Sequence, residues 1–142
     1  MITLADYFMG RRETHPTSMS PGIEREAGRT VEIVNKLLDQ AAIYGVDMSR
    51  RSPQTGTLVA SGWRPPALNA ATPNAAPNSK HMTGQALDVY DPEGHLDDWL
   101  MTEEGQAALM ELGLWIEHPS ATRGWSHLQI VPPRSGRRVF YP

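Results

Sequence analysis

The chain has 142 residues, 39% hydrophobic and 20% charged, with a formal net charge of −3 and no cysteine. That length suits one domain with one core, and the balance is that of a globular chain rather than a disordered one. No basic run points to nucleic acid, no apolar stretch approaches the roughly 20 residues of a membrane span, and any metal would have to be held by His, Asp or Glu, a ligand set more usual for catalytic than for structural zinc.

Proline and glycine, 12 of each, predict many turns. Residues 1–19 read as an arm packed on the core; they lack a basic n-region leading into an apolar h-region, so no signal peptide is expected. Ser20 before Pro21 is an N-cap followed by proline at the first helical position. Apolar or small residues then recur at Ile23, Ala27, Val31, Val34, Leu38 and Ala41, a helical stripe that should end near Gly45. "TLVASGWRPP" (57–66) predicts a short strand running into a proline-stopped turn, and "ALNAATPNAAPNS" (67–79) a surface loop. "ALDVY" (86–90) predicts a strand with Ala86, Asp88 and Tyr90 on one face and Leu87 and Val89 on the other. Leu96, Trp99, Leu100, Ala107, Met110 and Leu112 suggest two short helices, the second started by Thr102 ahead of Glu103 and Glu104 and stopped by Gly113. "LWIE" (114–117) and "WSHLQIV" (125–131) read as two strands joined by a loop, with Trp125, His127 and Gln129 on one face. No internal repeat is visible. This order predicts a small single α+β domain, an antiparallel sheet with flanking helices.

The chemistry concentrates in "SKHMTGQALDVYD" (79–91), where His81 and Asp88 stand seven residues apart. A catalytic zinc commonly takes three protein ligands. His127, 39 residues beyond Asp88 and flanked by apolar residues in a strand, is the best third candidate, because an unpaired imidazole is costly to bury there. Spacing alone leaves other readings open: an ordinary loop histidine at 81, a satisfied turn aspartate at 88, a hydrogen-bonded sheet histidine at 127. Aspartate is disfavoured inside strands, which makes Asp88 the hardest to dismiss. His15, His95 and His118 sit beside turn-forming or acidic residues. Asp91, ahead of Pro92, reads as a turn residue rather than a ligand, and Glu103 and Glu104 as a solvated helical turn.

"SKHMTGQALD" fits the pattern S-x-H-x-x-G-x-A-x-D, "WSHLQ" looks like a later W-x-H element, and "SGWRPPALN" looks like an upstream S-G-[YW]-R segment. Together they resemble the M15 zinc peptidases of peptidoglycan, which include D-Ala-D-Ala carboxypeptidases and dipeptidases and L-alanyl-D-glutamate endopeptidases of phage lysins. The resemblance spans roughly residues 57–131, about half the chain. It implies a hedgehog/DD-peptidase-like fold with a zinc cleft, Zn2+ as cofactor, and His81, Asp88 and His127 as its ligands. It implies that Arg64 contacts substrate or the oxyanion, a role suited to a guanidinium. Ser79 would orient the loop or a ligand, with local capping as the alternative, and Trp125 and Trp115 would wall the cleft or simply serve as core aromatics.

The general base departs from the family pattern. Family members place a glutamate three residues before the last ligand, or a histidine two before it; here those positions are Gly124 and Trp125. Glu117, at the end of the preceding strand, is the first choice for that role if 114–117 and 125–131 pair as a hairpin, and His118 the second. The expected function is therefore hydrolysis of a peptide bond in the peptidoglycan stem peptide, by a lysin that stays cytoplasmic until release or by a virion-associated enzyme. The rival is a non-catalytic module that keeps its metal and binds cell-wall peptide or serves as a structural phage component.

Overall fold

The structure is a computed structural model that describes all 142 residues. Six α-helices and five strands follow in the order α1 (Leu4–Phe8), α2 (Arg11–Thr14), α3 (Pro21–Ile43), β1 (Val59–Ser61), α4 (Pro66–Ala71), β2 (Ala86–Asp91), α5 (His95–Leu100), α6 (Glu103–Leu112), β3 (Trp115–Glu117), β4 (Gly124–Gln129) and β5 (Val139–Phe140). They form one sheet in the spatial order β1-β2-β4-β3-β5, covered on one face by helices. No helix is long and apolar enough to cross a membrane.

Helix α3 forms where its stripe predicts. The Ser20 hydroxyl accepts the Ile23 N–H at 3.2 Å, capping the first turn, and Pro21 occupies a position whose N–H would be orphaned anyway. Ala27, Val31, Val34, Leu37, Leu38 and Ala41 are buried on one side. They share a core with Leu87 and Val89 of β2, Leu128 of β4 and Ile116 of β3. Alternation along the strands then turns Asp88, Tyr90, Trp115, Glu117, Trp125, His127 and Gln129 to the opposite face, away from that core. The functional face of the sheet is thus a by-product of which strand positions are apolar.

Three expectations need correction. The sheet is mixed: β5, which the sequence did not reveal, runs parallel to β3, with Ile116 opposite Val139 and Glu117 opposite Phe140. The return through "VPPRSGRR" carries the chain back along β3 before it pairs, which is why its direction matches β3. Second, 67–79 is not all loop, because Pro65 and Pro66 start helix α4 rather than stopping the chain. Third, the buried side of α6 is Gly105, Ala108 and Leu109, while Met110 is 68% exposed. A Cβ at Gly105 would stand 2.1 Å from the Trp99 carbonyl, so the helix is rotated to bring its one glycine against α5. Asp91, as expected, opens the turn at Pro92, its carbonyl accepting the Gly94 N–H at 3.1 Å, and it stands outside the His81–Asp88–His127 group. It ends β2, is buried, and accepts the N–H groups of Leu96 (3.1 Å) and Asp97 (2.9 Å) at the start of α5.

The arm, residues 1–19, folds as α1, α2 and a 3₁₀ turn at Pro16–Ser18. Thr3 and Asp6 form a capping box on α1. Asn35 of α3 bonds both the N–H and the carbonyl of Ile2. The Tyr7 hydroxyl, fully buried, donates to the Ala86 carbonyl at 2.9 Å, and the Tyr7 carbonyl accepts the Trp63 N–H at 3.1 Å. The arm therefore stitches β1's exit segment to β2.

Candidate metal centre

The β2–β4 register sets Asp88 directly opposite His127. His81 arrives from the turn before β2, and the backbone there is tightly constrained. The Ser79 hydroxyl accepts the His81 N–H at 3.2 Å, and the His81 carbonyl accepts the Arg64 N–H at 3.0 Å. Gly84 follows in the left-handed region (φ +78°), and a Cβ on it would meet the Ile23 carbonyl at 2.8 Å. Only glycine satisfies both the turn and the close approach to α3. Its carbonyl is held by the Thr30 hydroxyl at 2.7 Å.

His81, Asp88 and His127 are 3%, 7% and 9% exposed, and one potential ligand atom from each lies within 4.8 Å of the others. His81 Nε2 is 3.3 Å from Asp88 Oδ2, and His127 Nδ1 is 2.8 Å from Asp88 Oδ1. The other nitrogen of each ring is committed. His81 Nδ1 lies 2.8 Å from the Gly62 carbonyl, which can only accept, so that nitrogen carries the proton. His127 Nε2 lies 3.0 Å from Gln129 Oε1, and the Gln129 amide nitrogen donates to the Val131 carbonyl at 2.9 Å. That second bond fixes the amide's orientation, so His127 Nε2 must donate to it. Both neutral rings therefore present bare lone pairs to a carboxylate. Acceptors facing acceptors repel, and two things relieve the repulsion here: a proton on the rings or a cation among the three atoms. The residues fit a cation of the kind that imidazole and carboxylate hold, and each ring's remote N–H has the partner that metal-ligating histidines use.

Without a cation, the repulsion is relieved by protons on the rings. Burial alone would raise the Asp88 carboxyl; the charge of His81 and the hydrogen bonds from both rings outweigh it and hold Asp88 well below the usual carboxylate range. Burial would lower His127, but the bond to Asp88 and its charge, aided by Gln129 and Glu117, raise it.

Glu117 is brought to this cluster. Alternation on β3 turns it to the same face as His127, and its Oε2 lies 4.0 Å from His127 Nδ1. Burial pushes its carboxyl upward; the His127 charge opposes this and the Asp88 charge adds to it. His118 is not brought in. Its ring lies flat on Tyr141, with centroids 4.7 Å apart, and its Nδ1 is engaged by Ser120. Arg64 borders the cluster. Its guanidinium donates to Asn69 Oδ1 (3.1 Å) and to the hydroxyl of Ser61 (3.3 Å), which stands opposite Asp88 in the β1–β2 pairing. Ser79 acts on the backbone of His81, and Trp125, half-buried, pairs with Tyr90 on the site's face of the sheet. Trp115 lies under the Arg138 guanidinium, 4.5 Å from its centroid.

Three contributors were missed from the sequence. Gln129 was placed on the His127 face, and the signal to assign it was that alternation. Phe140 stands edge-on to His127 at 6.0 Å, carried by a two-residue strand with no periodicity to read. The Gly62 anchor is a backbone carbonyl, which no side-chain pattern marks. Behind the sheet, Ser126 turns away from the site and donates to Asp97 Oδ1 at 2.6 Å, beside Asp91. Burial, with the Asp91 charge adding to it, pushes Asp97 up to about 7.

No family model, curated protein or solved structure matches the chain.

Proposed function

We propose that the protein is a zinc-dependent peptidase that hydrolyses a peptide bond in the peptidoglycan stem peptide. The observation that carries this reading is the convergence of two bare imidazole nitrogens and a carboxylate, with both ring tautomers fixed by Gly62 and Gln129, beside a half-buried glutamate. Two histidines and one aspartate suit zinc, and the sequence elements around them resemble those of the peptidoglycan zinc peptidases. His81, Asp88 and His127 would hold the ion, which supplies Lewis-acid polarisation of a carbonyl and acidification of water.

The chain's own groups do the rest. Glu117 is the general base: it takes a proton from the attacking water and returns it to the leaving amine as the carbon–nitrogen bond breaks. Its partly buried setting raises its proton affinity toward what that exchange needs. Arg64, held by Asn69 and Ser61, offers its remaining N–H groups to the carbonyl oxygen as it gains charge or to a carboxylate of the peptide. Phe140 shields one side of His127 from water.

The test is incubation of zinc-loaded protein with purified peptidoglycan, with and without chelator, and mass spectrometry of the released peptides. New termini that vanish with chelator and return with zinc support the peptidase. Intact peptidoglycan, with one zinc bound per chain, favours a metal-containing wall-peptide-binding module.

A further inference from the structure

Charge is segregated along the chain. Residues 85–117 hold nine of the 16 acidic side chains and no lysine or arginine, whereas residues 118–142 hold four arginines and no acidic residue. The two stretches do not neutralise each other within one molecule. The ion pairs made by lysine and arginine use Arg12, Arg29, Lys36 and Arg50. Of the acidic stretch only Glu93 has such a partner, and none of the four C-terminal arginines has one.

The fold turns each stretch into a surface. Burial of Gly105, Ala108 and Leu109 sets the phase of α6, so Glu103, Glu104, Ala107, Met110 and Glu111 line its outer side, all exposed. Met110, 68% exposed, thus stands among carboxylates. The connection from β4 to β5 carries Arg134 and Arg137, both exposed, and the chain runs on to Tyr141, also 68% exposed. Arg138 is committed to the fold: its guanidinium stacks on Trp115 and donates to the Leu114 carbonyl at 2.8 Å, which ties the basic segment to the chain just past α6. Strand β5 is an edge of the sheet, with no strand beyond it.

A methionine ringed by carboxylates fits a surface of opposite sign with an apolar component of its own. Interfaces have that anatomy, an apolar centre and a polar rim, and are enriched in Met, Tyr and Arg. The segment from Arg134 to Tyr141 has the matching composition, and complementary potentials draw such surfaces together. An anionic polymer would engage the arginines alone and leave the Met110 face bare; a second copy of the chain engages both.

We propose that the outer face of α6 in one copy docks on the Arg134–Tyr141 segment of another, with Glu103, Glu104 and Glu111 facing Arg134 and Arg137 and Met110 meeting Tyr141. Each copy carries both surfaces, so a two-fold dimer makes the contact twice. The proposal is independent of the peptidase reading.

Sedimentation velocity on the full chain tests it, at concentrations from about 10 µM to 1 mM to span the range of weak contacts. The expected result is a mass above one chain at low salt and a dissociation constant that rises about tenfold between roughly 0.05 and 0.5 M NaCl, as screening shortens the reach of the charges. A Glu104→Arg, Glu111→Arg double variant and an Arg134→Glu, Arg137→Glu double variant should each be monomeric alone. Mixing the two should restore the dimer, because the reversed charges complement each other. The salt series uses the unaltered protein, so it decides the matter even where a variant fails to fold. A single-chain mass under every condition, association indifferent to salt, double variants that still self-associate, or a mixture that stays monomeric overturns the contact. A monomer that instead binds long-chain polyphosphate through Arg134 and Arg137 overturns it as well, and makes that segment a polyanion site.

Discussion

Gln129 determines which nitrogen of His127 is free. Its amide donates to the Val131 carbonyl, so its oxygen can only receive the His127 Nε2 proton, and Nδ1 is left bare toward Asp88. Replacing Gln129 by Leu removes that control and leaves a buried N–H without a partner. Metal affinity should fall by about 10- to 100-fold, the usual cost of losing such an outer partner. Competition with a chromophoric chelator measures it, and an unchanged affinity would show that the ring needs no such guide.

Glu117→Gln should separate chemistry from metal binding. The side chain sits beside His127 but is not one of the three residues that could hold a metal ion. Peptide hydrolysis is expected to drop by about 10² to 10⁴, with zinc still bound at one ion per chain by atomic emission. If the rate is retained, proton transfer belongs to another group. His118→Ala should by contrast leave the rate nearly unchanged, since that ring is stacked on Tyr141.

Asp97 makes stability depend on pH in an unusual direction. Its carboxyl rises from an ordinary 3.8 to about 7 in the fold, so the folded state binds the proton more tightly than the unfolded one. Its contribution is fully present below about pH 4 and fades as pH climbs through about 7, a loss on the order of 4 kcal/mol at the upper end. Asp97→Asn retains an acceptor for Ser126 and removes the titration. Urea denaturation from pH 4 to 8 should show wild type losing stability relative to Asp97→Asn across that window. Parallel curves would mean that Asp97 ionises normally.

Gly62→Ala tests the anchor of His81. The added Cβ would stand 1.9 Å from the Tyr7 carbonyl, a backbone atom that cannot swing aside. Overpacking of this kind costs about 1–3 kcal/mol. Because the Gly62 carbonyl holds His81, zinc affinity should fall together with the melting temperature. A variant that is destabilised yet binds zinc normally would show that the carbonyl keeps its place without the arm.

Adding zinc should itself stabilise the fold, by about 2.7 kcal/mol at a free concentration one hundred times the dissociation constant. The shift should disappear in Asp88→Asn, as read by differential scanning calorimetry with and without chelator.

Much of the ligand face was legible because strand alternation is a strict rule. Once Leu87, Val89 and Leu128 are recognised as core, Asp88 and His127 have to share the other side, and a hairpin brings Glu117 with them. Helix α3 was legible for the same reason, its stripe being long enough to fix a phase. The bounds of helix α6, capped by Thr102 and stopped by Gly113, were legible as well, but its buried face was not: its phase is set by Gly105 packing on Trp99, a contact made by the absence of a side chain. Strand β5 is two residues long and exists only because β3 has a free edge to pair with. The Pro65–Pro66 pair was misread because proline ends one helix and begins another with equal ease.

The separations that close the site bear on when it can form. Tyr7 reaches Ala86 across 79 positions and Asp88 reaches His127 across 39. Contacts so distant along the chain come at a high loop-closure entropy and form late unless something local brings them close. The ribosome releases Asp88 well before His127, so the emerging polypeptide can offer a metal no more than two of its three ligands until β4 has zipped onto β2. Any ion this group takes up would then be a latch thrown at the end of folding, and a chain synthesised without zinc should reach the same sheet register and bind added zinc afterwards.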